Sequence, residues 1–329
     1  MLTPIRFAGA SAASRDEDLK EISKPPQCGA VPKSKASAHS PSDRMKAIPP
    51  PTAPTRFSSA KKAGHAAEDH PTMHFAVSGA WICHTGRVRR ANEDSFLAGN
   101  EFSRESSADV TSISIGSGPW IVAASDGIGG HRGGAEASRE VVRGLAECPR
   151  VTPLSITEIL QRLNRRLCER GYKEPELAAM GATVAGIGCG GRGLFAFNVG
   201  DSRVYRLHGK RLTQLTRDDS EAEDLIDQGL LERNEGARPG FLHALTQAIG
   251  GREEVVDIEV HVHPLHLEQP TRYLICTDGL TDMVVTADIE KILVAESTAE
   301  AAATALFQKA MKAGGVDNIT VAVIQIEKT

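Results

Sequence analysis

Along the chain, short runs that are apolar throughout alternate with runs that are apolar on one side only. Residues 75–83 and 120–124 are nearly continuous hydrophobic stretches, as expected of strands covered on both faces. Two helices follow. In the second, from about Ser155, Ile156, Ile159, Leu160, Leu163 and Leu167 fall at i, i+3, i+4, i+7 and i+11 and form one apolar stripe. Ser155 and Glu158 have the spacing of a capping box. A block of strands comes next, over 182–188, 194–199, 203–207 and 212–215, with turns such as Cys189-Gly190-Gly191-Arg192-Gly193 and His208-Gly209 short enough for antiparallel hairpins. The pattern then predicts a polar helix over 220–228 and strands over 255–261 and 272–276. Helices over 286–296 and 298–313 precede a last strand over 319–326. Strands cluster and helices pair, so the chain lacks the strict alternation of a parallel α/β sheet. Antiparallel sheets covered by helix pairs are expected.

Composition divides the chain near residue 73. Residues 1–72 hold 10 of the 17 prolines and carry 11 Lys and Arg against 7 Asp and Glu. They show neither helical nor strand periodicity, and hold too little apolar surface to offset the entropy of ordering. This segment reads as a disordered Pro/Ser/Ala/Lys-rich tail, and residues 73–329 as one domain. The domain carries 27 Lys and Arg against 35 Asp and Glu, a net of −8, which disfavours a polyanionic partner such as nucleic acid. No apolar run approaches the roughly 18–20 residues that span a bilayer, so no membrane insertion is expected. Cys28, Cys83, Cys148, Cys168, Cys189 and Cys276 show no CxxC spacing. A reduced, cytoplasmic setting without a zinc site is the simplest reading.

Four aspartates share one context. Asp126 and Asp278 each end an apolar run and precede a glycine, while Asp94 and Asp317 each stand just ahead of one. Taken singly, such a residue is equally a turn former or a helix cap. Four of them at strand ends repel one another unless cations neutralise them. Hard divalent ions such as Mg²⁺ and Mn²⁺ take oxygen donors of this kind.

Seven motifs in order sharpen this reading. They are Arg89-Arg90-Ala91-Asn92-Glu93-Asp94-Ser95-Phe96, Asp126-Gly127-Ile128-Gly129-Gly130-His131 with Gly134 and Ala137-Ser138, Met180-Gly181-Ala182-Thr183, Gly200-Asp201-Ser202-Arg203-Val204-Tyr205, Leu215-Thr216-Arg217-Asp218-Asp219-Ser220, Thr277-Asp278-Gly279-Leu280-Thr281-Asp282, and Asp317-Asn318-Ile319-Thr320. Together they resemble the metal-dependent (PPM, type 2C) protein serine/threonine phosphatases, in a bacterial form. The resemblance implies an α+β fold, an αββα sandwich of two antiparallel sheets flanked by helix pairs. It implies a monomer that acts on phosphorylated proteins and reverses a cognate eukaryotic-like Ser/Thr kinase.

By the same resemblance the cofactors are two Mn²⁺ or Mg²⁺ ions. Asp126 bridges them, Asp278 and Asp317 complete one site, and the Gly127 carbonyl, Glu93 and Asp94 serve the pair. A water between the ions attacks phosphorus directly, with no phospho-enzyme. Arg89 stands where the family places its phosphate-binding arginine, with its neighbours Arg87 and Arg90 as the alternatives. His131 is left with two roles, general acid or support of the glycine turn. Asp201 and Asn318 are expected to orient the site rather than ligate. A third metal on Asp282 is left open, because Ala178 replaces an aspartate that many bacterial members carry. Ala182 and Asp219 also depart from the pattern, the latter standing in place of a histidine. The alternative is a non-catalytic regulatory or binding protein of the same fold, which would need a broken set of carboxylates. A two-metal nuclease or small-phosphoester hydrolase is disfavoured by the acidic domain.

Overall fold

A computed structural model describes residues 74–103, 106–129, 132–191, 193–232 and 244–329. The expected tail over 1–72 and His131 lie outside the described residues. Fifteen strands are described: β1 Phe75–His84, β2 Ser95–Ala98, β3 Glu101–Phe102, β4 Ser107–Ile115, β5 Trp120–Ser125, β6 Gly127–Ile128, β7 Gly181–Ala182, β8 Val184–Gly190, β9 Gly193–Val199, β10 Arg203–His208, β11 Arg211–Gln214, β12 Ile249–Gly250, β13 His261–Leu265, β14 Thr271–Cys276 and β15 Ile319–Lys328. The α-helices among the described residues are α1 Arg132–Ala146, α2 Pro153–Lys173, α3 Glu221–Asp227, α4 Asp278–Thr281, α5 Thr286–Ala295 and α6 Ala299–Lys312.

The strands form two six-stranded antiparallel sheets, in the orders β11-β10-β14-β15-β1-β4 and β13-β9-β8-β5-β2-β3. A small sheet, β12-β7-β6, sits beside them. Strand β15 shows why the runs are continuously apolar. Ala322, Ile324 and Ile326 point into the core between the sheets with Trp81, Phe96, Trp120 and Ile187. Val321 and Val323 point the other way, onto Leu293, Leu306 and Phe307 of α5 and α6. The second sheet is used alike, its outer residues Leu97, Ile121 and Phe197 packing on Val141, Leu145, Leu160 and Leu163 of α1 and α2. With both faces covered, the run from Val321 to Ile324 is apolar throughout, each fully buried Val or Ile contributing roughly 1.5–3 kcal/mol. The architecture is therefore the expected four-layer αββα sandwich. No described helix is long and apolar enough to cross a membrane.

Three details differ from the expectations. Helix α2 starts at Pro153, with Thr152 as the cap that accepts from the Ser155 amide at 3.1 Å. Proline at the first position loses no hydrogen bond there, so Ser155 lies inside the first turn rather than capping it. The strand expected over 255–261 forms only at His261–Leu265, paired to β9. The carbonyls of Val256 and Ile258 are instead taken by Asn164 and Gln161 of α2, so the chain here needs no sheet partner. Strand β4 had no clear signal, since most of its residues are polar and face solvent.

Candidate active site

Strand register brings the acidic residues to one end of the sandwich. In one sheet Ser95 pairs with Ser125, which sets Asp94 and Asp126, the adjoining residues, side by side. In the other, Cys276 pairs with Val321, and the Thr277 amide donates to the Thr320 carbonyl at 3.2 Å. Asp278 and Asp317 follow beyond that pair. Arg203 pairs with Cys276, which brings Asp201 to the same end. Hydrogen bonds then join the sheets: the hydroxyls of Thr277 and Thr320 both donate to Asp94 Oδ2, at 2.9 and 2.7 Å.

Each carboxylate has its own support. Asp94 is buried, with Oδ2 held by the two threonines. Asp278 opens α4, with Thr277 ahead of it as the cap residue. Asp126 is clasped by Thr183, whose amide donates to the Asp126 carbonyl at 2.8 Å and whose hydroxyl accepts from the Asp126 amide at 3.3 Å. Thr183 Oγ1 lies in turn 2.7 Å from Ser202 Oγ. Asn318 is buried and fastens three segments: Oδ1 accepts from the Glu93 amide at 2.8 Å, and Nδ2 donates to the carbonyls of Thr85 and Ala91, both at 2.9 Å. Glu93 lies against a glycine surface. A Cβ added at Gly134 would stand 2.1 Å from Glu93 Oε2 and 2.7 Å from the Gly127 carbonyl oxygen. The glycine of that motif thus leaves room for one proposed donor beside another.

The electrostatics follow from crowding. Burial pushes the Asp94 carboxyl up to about 7, against the hydrogen bonds from Thr320 and Thr277. Burial, then the charges of Asp278, Asp94, Asp317 and Asp201, holds Asp126 well above the carboxylate range. Burial, then Asp201, Asp282, Asp317 and Asp94, does the same to Asp278. Asp201 is raised to about 7 by burial and by Asp218. Anionic carboxylates in such a cluster need nearby positive charge.

Arg89 supplies some of it. Its guanidinium donates to Asp317 Oδ2 at 2.6 Å while remaining 55% exposed. The hydrogen bond it donates to Asp317, with the charges of Asp317, Asp126 and Glu93, raises its pKa further. Asp282 caps the end of α4, its amide donating to the Asp278 carbonyl at 2.8 Å, and its charge bears on Asp278 and Asp201. Thr183, Ser202, Thr277 and Thr320 had no assigned role in the sequence. The only signal for them was their presence inside four of the motifs.

Among the described residues, no group of three or more His, Cys, Asp and Glu side chains is arranged to hold a metal ion as it stands. The donor chemistry fits hard divalent cations all the same. Also among the described residues, Oδ1 of Asp94 and Oδ1 of Asp278 are buried with no hydrogen-bond partner. A buried carboxylate oxygen with no donor costs several kcal/mol unless a cation faces it.

Comparison with known proteins points the same way. Residues 103–314 match the family model described as protein phosphatase 2C. The chain is 30% identical over 253 residues to the serine/threonine phosphatase stp of Listeria monocytogenes, covering 74% of this chain and 94% of that one. It is 30% identical over 246 residues to the serine/threonine protein phosphatase PstP of Mycobacterium tuberculosis, covering 43% of that longer protein. Among solved structures it resembles the catalytic domain of PstP in complex with two manganese ions, with 29% identity, a TM-score of 0.60 and coverage of 76% of this chain and 99% of that one.

Proposed function

The chain belongs to the protein phosphatase 2C family of serine/threonine protein phosphatases, and on that premise we propose that residues 74–329 hydrolyse phosphoserine and phosphothreonine in proteins at the acidic end of the sandwich. Asp126 adjoins Asp94 through the Ser95–Ser125 pair and feels the charge of Asp278, so it would hold the divalent cations together with them. Asp278 and Asp317 would hold the cations with it. Asp94, Glu93 and the Gly127 carbonyl serve the pair. When bound, two Mn²⁺ or Mg²⁺ ions supply positive charge for the phosphoryl oxygens and lower the pKa of water so that it is a nucleophile near neutral pH.

The remaining work falls to the chain's own side chains. Thr277 and Thr320 fix the Asp94 carboxylate so that one oxygen stays free of protein donors. Thr183 and Ser202 hold the Asp126 backbone. Arg89, exposed at the mouth and already aimed at the acidic cluster, offers a planar fork to two phosphate oxygens and sets the phosphorus in line. Asp201 and Asn318 position rather than ligate. The observation that carries this reading is the pair of buried, unpartnered carboxylate oxygens at the junction of the two sheets. The partners are phosphoproteins and the Ser/Thr kinase that makes them.

The test is Mn²⁺-dependent phosphate release from a phosphothreonine peptide. Activity lost on chelation, restored by Mn²⁺ and abolished in Asp278→Asn is expected. Undiminished turnover by Asp278→Asn overturns the assignment.

A further inference from the structure

The loop between β1 and β2 carries more cations than phosphate binding needs. Arg87, Val88, Arg89 and Arg90 are all exposed. Arg89 is turned toward the acidic cluster by its contact with Asp317. Elsewhere on the domain several arginines are tied to acidic groups, among them Arg203 on Asp218, Arg217 on Asp224 and Asp227, and Arg170 on Glu136, Glu140 and Glu174. Arg87 and Arg90 have no ion pair among the described residues.

Their loop is nonetheless well seated. The Arg87 amide donates to the Gly315 carbonyl at 2.7 Å, and the Ala91 carbonyl accepts from Asn318. A Cβ at Gly86 would stand 2.1 Å from the Asp317 carbonyl oxygen, so the two loops touch backbone to backbone. The result is a rim with fixed footing beside the site, bearing two spare guanidinium groups and two exposed valines, Val88 at 64% and Val316 at 46%.

This arrangement has a matching ligand. Consecutive Cα atoms are about 3.8 Å apart, so Arg87 and Arg90 start within roughly 8 Å and 4 Å of Arg89. An extended peptide advances about 3.3 Å per residue. With Arg89 on the phosphate, side chains one to three residues away meet the other two arginines. The domain as a whole is net negative, so an acidic segment is attracted only where the local charge is positive.

Resting on the phosphatase reading above, we propose that Arg87 and Arg90 form an acid-selecting rim. It favours phosphoprotein segments that carry Asp or Glu within about three residues of the phosphorylated side chain. Each exposed cation–carboxylate pair strengthens binding by about two- to five-fold at low salt, and less as salt screens it. The gain falls on KM, because the contact is the same in the ground and transition states.

The experiment uses the full chain with Mn²⁺ and phosphothreonine peptides of one length, flanked by Glu, Ala or Lys. Glu-flanked peptides are expected to exceed Lys-flanked ones in kcat/KM by roughly ten-fold at low ionic strength, through KM, with the gap narrowing to about two-fold in 0.5 M salt. The variant Arg87→Glu/Arg90→Glu reverses the order while its turnover of p-nitrophenyl phosphate, which has no flanks, stays unchanged. Turnover of p-nitrophenyl phosphate with no preference among the peptides overturns the rim and leaves the phosphatase reading standing. Failure on every substrate overturns both.

Discussion

Replacing Gly134 by Ala separates a stability effect from a metal effect at one atom. Gly134 lies in the first turn of α1, where alanine gains up to about 1 kcal/mol of helix propensity over glycine. Against that, the new methyl would sit 2.1 Å from Glu93 Oε2, 2.7 Å from the Gly127 carbonyl oxygen and 2.8 Å from its carbon. The Glu93 carboxylate ends a flexible side chain and swings aside at little cost. The Gly127 carbonyl is backbone and must shift with its strand. Overpacking of this kind costs about 1–3 kcal/mol, so the net loss is about 0–2 kcal/mol, a modest fall in Tm. Both displaced groups are proposed metal donors. Changes that misplace ligating groups reduce metal affinity by about 10–100-fold, and that range is expected here for Mn²⁺. Gly144→Ala in the same helix is the comparator, since its methyl meets only the tip of the Leu163 side chain, at 2.9 Å, away from the acidic cluster. Isothermal calorimetry with Mn²⁺ and thermal unfolding of both variants decide the matter. Wild-type Mn²⁺ affinity in Gly134→Ala, or an equal loss in Gly144→Ala, shows that Glu93 and the Gly127 carbonyl do not hold the metal.

Asn318→Ala removes one acceptor and two donated hydrogen bonds at a buried site, leaving the Glu93 amide and the carbonyls of Thr85 and Ala91 without their partner. At about 1 kcal/mol each, a loss of roughly 3 kcal/mol is expected in urea unfolding, and a loss below about 1 kcal/mol argues that the loops hold without it. In the chelated protein, the carboxyls of Asp94 and Asp201 titrate near 7 when folded and near 4 when unfolded. Between those values the folded state binds more protons, so stability falls as pH rises from about 4 to 7. Thermal unfolding in chelator should show that slope and Mn²⁺ should flatten it. A flat or rising profile in chelator contradicts the raised carboxyls.

The sandwich was legible because the central strands are covered on both faces, which makes the middle of strands such as β5 and β15 apolar on both sides. The acidic cluster was legible because four aspartates adjoin those same strands. What the sequence did not disclose is the scaffolding between them. Nothing in a threonine's neighbours along the chain announces that Thr277 and Thr320 donate to Asp94, which lies 183 and 226 residues away in the chain. Strand β4 was hidden by its solvent-facing polar residues, and the segment before β13 by its reliance on Gln161 and Asn164 of another element. Long-range register and side chain to backbone bonds leave no periodic trace.

Asp219 shows which departures from the family pattern the fold absorbs. It replaces a histidine of the motif, and it is buried. Its carboxylate accepts from the Gly200 amide at 2.8 Å and from Gln247 Nε2 at 2.7 Å, and pairs with His261 Nε2 at 2.8 Å. The imidazole thus arrives from β13, and its pKa is raised by the Asp219 hydrogen bond. Gly200, at φ +92°, makes the turn ahead of Asp201 and Ser202, and Ser202 reaches Asp126 through Thr183. The change therefore sits a few hydrogen bonds from the cluster and leaves it intact, because protein neighbours complete the set. The same compensation is not open to Asp94 or Asp278. The buried oxygen of each has no protein donor among the described residues, so no neighbouring side chain is placed to make good its loss. On the proposed assignment, substitution is tolerated where the partner is protein and not where the partner would be a cation.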